Sequence, residues 1–131
     1  MTTIKAQVRT IPGTQAAEGR TGEHAVVVDR PAGAAGGAGT GMNGGELLAL
    51  AIGGCLANDV RYVADGLGVQ IDDVTVDVDI ELIDGRVTGA AVRLDVTAPD
   101  DTDTTDVVRG AEEISTVLAA VRSGFATTVN Q

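Results

Sequence analysis

Apolar and polar residues alternate most cleanly between positions 74 and 82, where Val74, Val76, Val78, Ile80 and Leu82 are separated by Thr75, Asp77, Asp79 and Glu81. That period of two predicts a half-buried strand. Asp84-Gly85 turns the chain, and Val92, Leu94 and Val96 alternate on the return. Facing the two apolar sides requires partners whose numbers sum to an even value, such as Val76 with Val92. The spacing therefore predicts a three-residue loop, Ile83-Asp84-Gly85, with Gly85 in the left-handed position of a bulge. Ile4, Ala6 and Val8 alternate with polar residues, and His24 to Asp29 holds three consecutive valines, closed by Pro31; both segments read as strands.

From Pro31 to Gly45 the chain is glycine-rich and almost without side chains able to pack, which predicts a loop, either mobile or tightly turning. Glu46 opens a predicted helix that runs to about Asp65 and stops at Gly66, with Gly68 just beyond. Its first half is apolar on every side, the pattern of a helix buried all round. One small sheet covers only one side of such a helix, so a second chain is expected on the other. After the acidic turn Asp100 to Asp103, the residues Val107, Ala111, Ile114, Leu118 and Val121 recur at helical spacing and predict one amphipathic helix, stopped by Ser123-Gly124. Phe125 to Val129 adds a predicted short last strand. The order is β-β-loop-α-β-β-α-β, an α+β fold in which an antiparallel sheet packs on a buried central helix.

Length and composition narrow the picture. The 131 residues suit one domain, 1–131, and not two. Aromatics are only 2% of a chain that is 44% hydrophobic, so the core is built from Val, Leu, Ile and Ala, and a partner subunit would add burial that these small side chains lack. The net charge of -10 opposes nucleic acid and anionic membrane as partners. Residues Met1 to Gln7 show no basic region followed by an apolar run, and the apolar stretch Leu47 to Ala57 is short for a membrane span. A soluble, cytoplasmic protein is expected, and the single cysteine suits a reducing compartment.

Candidate chemistry is sparse. Gly39-Thr40-Gly41-Met42-Asn43-Gly44 matches G-x-G-x-x-G, but the preceding strand ends too early and a hairpin, not a parallel strand, follows the helix, so a nucleotide site is not expected. One His and one Cys cannot supply a structural zinc site, and no cofactor or metal is expected. Cys55 remains. On its helical face Leu48, Ala51 and Ile52 lie below it and Asn58, Asp59 and Tyr62 above, so the thiol sits where an apolar face turns polar. Reactivity needs a thiolate, Asp59 one turn on disfavours a second anion, and the stabilising cation has to come from elsewhere, with Arg20 and Arg61 as candidates. The competing reading is a small buried hydrophobe.

The run Gly36 to Leu48, with Asn43-Gly44-Gly45-Glu46, followed by Ala51-Ile52-Gly53-Gly54-Cys55-Leu56-Ala57 resembles the OsmC/Ohr family, as do Leu67-Gly68-Val69 and Asp72 to Val76. The resemblance implies an intertwined homodimer with sites at the subunit interface and thiol-dependent reduction of organic hydroperoxides. It also implies a peroxidatic cysteine, matched by Cys55, an Arg in the N-terminal loop, matched by Arg20, and a Glu that holds the Arg. The Glu position aligns with Gly45, and Glu46 falls one residue later, about 100° further round the helix. The family's second cysteine, in a Cys-Pro pair, falls on Ser115-Thr116. Two functions follow as alternatives: a one-cysteine peroxidase resolved by an external thiol, or a non-enzymatic dimer that binds a small apolar ligand in its interface pocket.

Overall fold

The computed structural model describes residues 1–131. Its elements are β1 (Gln7–Thr10), β2 (Ala17–Thr21), β3 (His24–Val28), α1 (Gly44–Leu67), β4 (Asp73–Ile83), β5 (Arg86–Thr97), a short 3-10 turn (Pro99–Asp101), α2 (Thr105–Ile114) and α3 (Thr116–Ser123). The fold is α+β with antiparallel sheets. Two compact units divide the chain, Met1–Leu48 and Ala49–Gln131, and α1 begins in the first and continues into the second.

The first unit is an antiparallel meander in the order β1-β2-β3. Its middle strand, Ala17–Thr21, has no apolar alternation, which is why the sequence pattern missed it. Gly19 sits at its centre because the position is close-packed: a Cβ there would lie 3.5 Å from Val26 and 3.7 Å from Val8. Gly22, at φ +58°, supplies the left-handed residue of the two-residue turn that brings Thr21 opposite His24. The glycine-rich segment is tightly turned, the second of the two expected states. Asp29 is its hub. Its carboxylate accepts from the backbone N–H of Arg30 (2.8 Å), Ala38 (3.1 Å) and Thr40 (3.0 Å), and from the Thr40 hydroxyl (2.8 Å). Those donors hold the carboxyl far below its ordinary value, Thr40 contributing most. Glycine is required at Gly37, where a Cβ would come within 2.5 Å of the Pro31 carbonyl oxygen and 2.6 Å of that of Arg30.

In the second unit β4 and β5 form the expected hairpin, but its parity is achieved differently. Val76 pairs with Leu94 and Val78 with Val92, and the sums are even as the alternation demands. The loop, however, is the two-residue Asp84-Gly85, both at positive φ, and Ile83 pairs with Arg86. The bulge lies within β5 at Thr88, between the pairs Glu81–Gly89 and Leu82–Val87, where the one extra residue converts an odd register into an even one.

Helix α1 outruns its expected bounds at both ends. Gly68, at φ +69°, closes it in a Schellman arrangement in which the Val69 N–H reaches the Ala64 carbonyl at 2.9 Å. At 24 residues, with mean hydropathy 1.3 in its most apolar window, α1 meets the length and composition of a membrane span, contrary to the estimate from Leu47 to Ala57 alone. It is nonetheless built into a protein core: Ile52, Leu56, Val60 and Ala64, four residues apart, are buried, and Val60 and Ala64 cluster with Val107 and Ala111 of α2. Gly110 permits that approach, since a Cβ there would fall 2.8 Å from Val63 Cγ1. The helix is not buried all round. Leu50 is 57% exposed, and Ala51 and Gly54 are exposed beside it.

The single amphipathic helix expected from Val107 to Val121 is two helices. Ser115 (φ -64°, ψ 112°) is extended and separates α2 from α3. The break shifts the phase of the stripe, so Val107, Ala111 and Leu118 are buried while Ile114 and Val121 are left half exposed. Phe125 to Val129 forms no strand, and Phe125 and Val129 are exposed.

Candidate functional site

Cys55 is half-buried in the second unit, at the middle of α1. Its thiol donates to Asp59 Oδ2 at 3.3 Å, the i+4 geometry that helical spacing provides. On the other side the Ser115 hydroxyl donates to Cys55 Sγ at 3.5 Å, across sixty residues of sequence. Ser115 is 2% exposed and Asp59 7%. The sulfur thus lies in a directed chain, hydroxyl to thiol to carboxylate.

The break between α2 and α3 makes this arrangement. An uninterrupted helix would carry position 115 on with the turn before it; the extended backbone at Ser115 instead makes it the N-cap of α3, its Oγ accepting from the Leu118 N–H at 3.3 Å. That bond uses the oxygen as acceptor and leaves its one proton for the sulfur. Thr116 follows at the first helical position, where proline is favoured in general.

Of the other expected site residues, Arg61 lies in the second unit and Arg20 and Glu46 lie in the first. Arg20 is a strand residue of β2 and not part of a loop; its Nε pairs with Glu18 Oε1 at 2.6 Å. Glu46 caps α1. Its carboxylate accepts from the Asn43 N–H at 3.1 Å while the Asn43 side chain accepts from the Glu46 N–H at 2.9 Å, a reciprocal capping box. Within this unit Glu18, and not Glu46, is the carboxylate that holds Arg20. Arg61, the other candidate cation, donates to the Ile71 carbonyl at 3.0 Å. In the sequence alone Asp59 shows only as an unfavourable neighbour of a thiolate, and Ser115 only as the residue at the second-cysteine position; the visible signals are the i+4 spacing and a serine with the character of an N-cap.

A family model described as OsmC-like protein matches residues 36–130. The chain belongs to the OsmC-like family. Solved structures agree at the level of fold. An OsmC-like protein from Mycoplasma pneumoniae aligns with a TM-score of 0.77 at 9% identity, over 94% of this chain and 89% of its own. An organic hydroperoxide resistance protein OsmC from Legionella pneumophila gives 0.67 at 20% identity, over 94% and 91%. The organic hydroperoxide resistance protein OhrB of Bacillus subtilis gives 0.62 at 26% identity, over 94% and 93%. No curated protein sequence matches the chain. In this OsmC-like chain Ser115, the residue at the resemblance's second-cysteine position, is one of the two whose side chains reach Cys55, with Asp59 the other.

Proposed function

We propose that this OsmC-like protein is a thiol-dependent reductase of organic hydroperoxides that works with one cysteine, as a cytoplasmic homodimer. The observation that carries the reading is the half-buried Cys55 thiol set between the Ser115 hydroxyl and the Asp59 carboxylate. The sulfur attacks the outer peroxide oxygen; an S–O bond forms, the O–O bond breaks, and the alkoxide leaves as an alcohol after taking a proton. A hydroxyl at Ser115 cannot close a disulfide on the resulting sulfenic acid. A low-molecular-weight thiol condenses with it, releasing water, and a second such thiol reduces the mixed disulfide to the free Cys55 thiol. The exposed apolar residues Leu50 and Ala51 of α1 support a second copy as the cover of that face.

The reduced protein is treated with one equivalent of an alkyl hydroperoxide and a sulfenic-acid trap, and Cys55 is followed by mass spectrometry. Trapped sulfenic acid is the expected product; an unmodified thiol ends the reading. Light scattering at micromolar concentration tests the dimer, which a monomer mass contradicts. Ser115→Cys provides a further test of the site's geometry. With the introduced thiol in the place of the hydroxyl, hydroperoxide treatment should yield an intramolecular disulfide with Cys55, resistant to alkylation until reduced.

One observation favours the second reading, a non-enzymatic dimer that binds a small apolar ligand. A groove of about 450 Å³ in the second unit runs between α1 and β4, lined by Leu50, Gly53, Gly54, Ala57, Val76 and Val78 among others. On that reading Cys55→Ser leaves apolar-ligand affinity unchanged and the trap experiment finds nothing.

A further inference from the structure

Resting on the reading of Cys55 as the attacking thiol, we propose that Asp59 is the base that takes the thiol's proton and returns it to the leaving alkoxide, while Ser115 is the fixed donor that steadies the sulfur. The three hydrogen bonds at the site form one self-consistent chain of donors. Leu118 N–H donates to Ser115 Oγ, so the serine proton goes to the sulfur, and the sulfur's own proton goes to Asp59 Oδ2. The same serine proton then remains on the sulfur side when the thiol becomes thiolate or sulfenic acid.

Asp59 is suited to the exchange by what surrounds it. It is 7% exposed and belongs to none of the molecule's ion pairs. The cations of the helices are engaged elsewhere: Arg61 on the Ile71 carbonyl, Arg109 on Asp106, and Arg122 on Glu112. Arg93 of the hairpin pairs with Asp77 and Asp95. The side chain of Asp59 has one hydrogen-bond partner, Cys55. The Cys55 thiol is the one proton source hydrogen-bonded to this carboxylate, at 3.3 Å, and no cation competes for the same oxygens. The balance is closed within the site. The S–H proton passes to Asp59, the thiolate attacks the outer peroxide oxygen and is oxidised by two electrons as the O–O bond is reduced, and Asp59 gives the same proton to the alkoxide, so thiol and hydroperoxide become sulfenic acid and alcohol.

The experiment measures iodoacetamide alkylation of Cys55 and consumption of tert-butyl hydroperoxide from about pH 5 to about pH 10, in wild type, Asp59→Asn and Ser115→Ala, with thermal melts as a check on folding. Asp59→Asn is expected to slow both reactions about 100-fold or more near neutral pH, the scale of a lost general base. The deficit should close above the ordinary cysteine value of about 8.5, where hydroxide removes the proton instead. Ser115→Ala, which keeps the base, is expected to lose less. An Asp59→Asn rate that is unchanged or faster at neutral pH overturns the proposal, because Asp59 would then only burden the thiolate. A deficit that persists undiminished at high pH in a normally melting variant also overturns it, assigning Asp59 to packing. If alkylation shows the expected profile while wild type forms no sulfenic acid, the base assignment stands and the hydroperoxide reading falls.

Discussion

Two aspartates, one in each unit, are each 7% exposed, and the protein treats them in opposite ways. Asp29 receives three backbone N–H groups and a hydroxyl, and its neighbour Arg30 lies at 3.3 Å. Asp59 receives one thiol. A carboxylate saturated with donors is a structural knot whose charge the fold has replaced water to accommodate. A carboxylate given one acidic donor and no cation is a group placed to take a proton. Burial alone does not separate structure from chemistry; the donor set does.

The largest effect that would break this contrast is at Asp29. Replacing it with Asn neutralises the acceptor and leaves amides of the 30–43 segment short of a partner, so limited proteolysis within that segment should accelerate about tenfold or more. The pH dependence has a definite sign. Because the folded-state carboxyl is held far below its unfolded value of about 3.9, its stabilisation is fully present above that value and is lost only as pH falls toward the depressed one. Wild type should therefore keep the segment protected at acidities where ordinary carboxylates are half protonated, and Asp29→Asn should lack this acid dependence. Early loss of protection in wild type, near pH 4, would show that Asp29 is not the knot.

Asp59→Asn should move stability the other way. Its removal of a buried charge that has no cation should leave the protein level or more stable by about 1 kcal/mol in equilibrium denaturation, since little is lost but a thiol hydrogen bond. A fall as severe as that of Asp29→Asn would erase the distinction between the two carboxylates.

The contrast also marks what the sequence could and could not reveal. The alternation Val74 to Leu82 fixes strand, face and register parity together, because a period-two pattern leaves only one side for a core. Parity requires one extra residue without saying where it goes, and the fold puts it at Thr88 rather than in the loop. The strand at Ala17–Thr21 was invisible because its centre, Gly19, is chosen for what it leaves empty between Val8 and Val26. The apolar spacing from Val107 to Val121 runs through Ser115 without interruption, so periodicity favoured one helix, and the kink that carries the serine to Cys55 was lost with it. Asp29 could not be read as a hub: its donors at Ala38 and Thr40 come from nine and eleven residues away, with no local pattern to connect them. Cys55 itself was legible as the centre of the candidate site, and so was the i+4 position of Asp59. The missing information was which carboxylates the fold would saturate.

The smallest effect sharpens the comparison at a third carboxylate. Glu46 is exposed and tied to the Asn43 N–H in a capping box, so it resembles Asp29 in kind, a structural acceptor, with far less burial. Gln serves in that box nearly as well as Glu. Glu46→Gln should therefore keep hydroperoxide consumption within about twofold of wild type and change stability by only a few tenths of a kcal/mol, about the size of a first-turn charge on the helix dipole. Glu46→Ala removes the box and should cost about 0.5–1 kcal/mol, again with activity retained. Stopped-flow peroxide consumption and denaturant melts on both variants separate cap from chemistry. Were Glu46→Gln to lose activity while its stability stayed level, Glu46 would be a residue of the reaction after all, and Glu18 could not be acting in its place on Arg20.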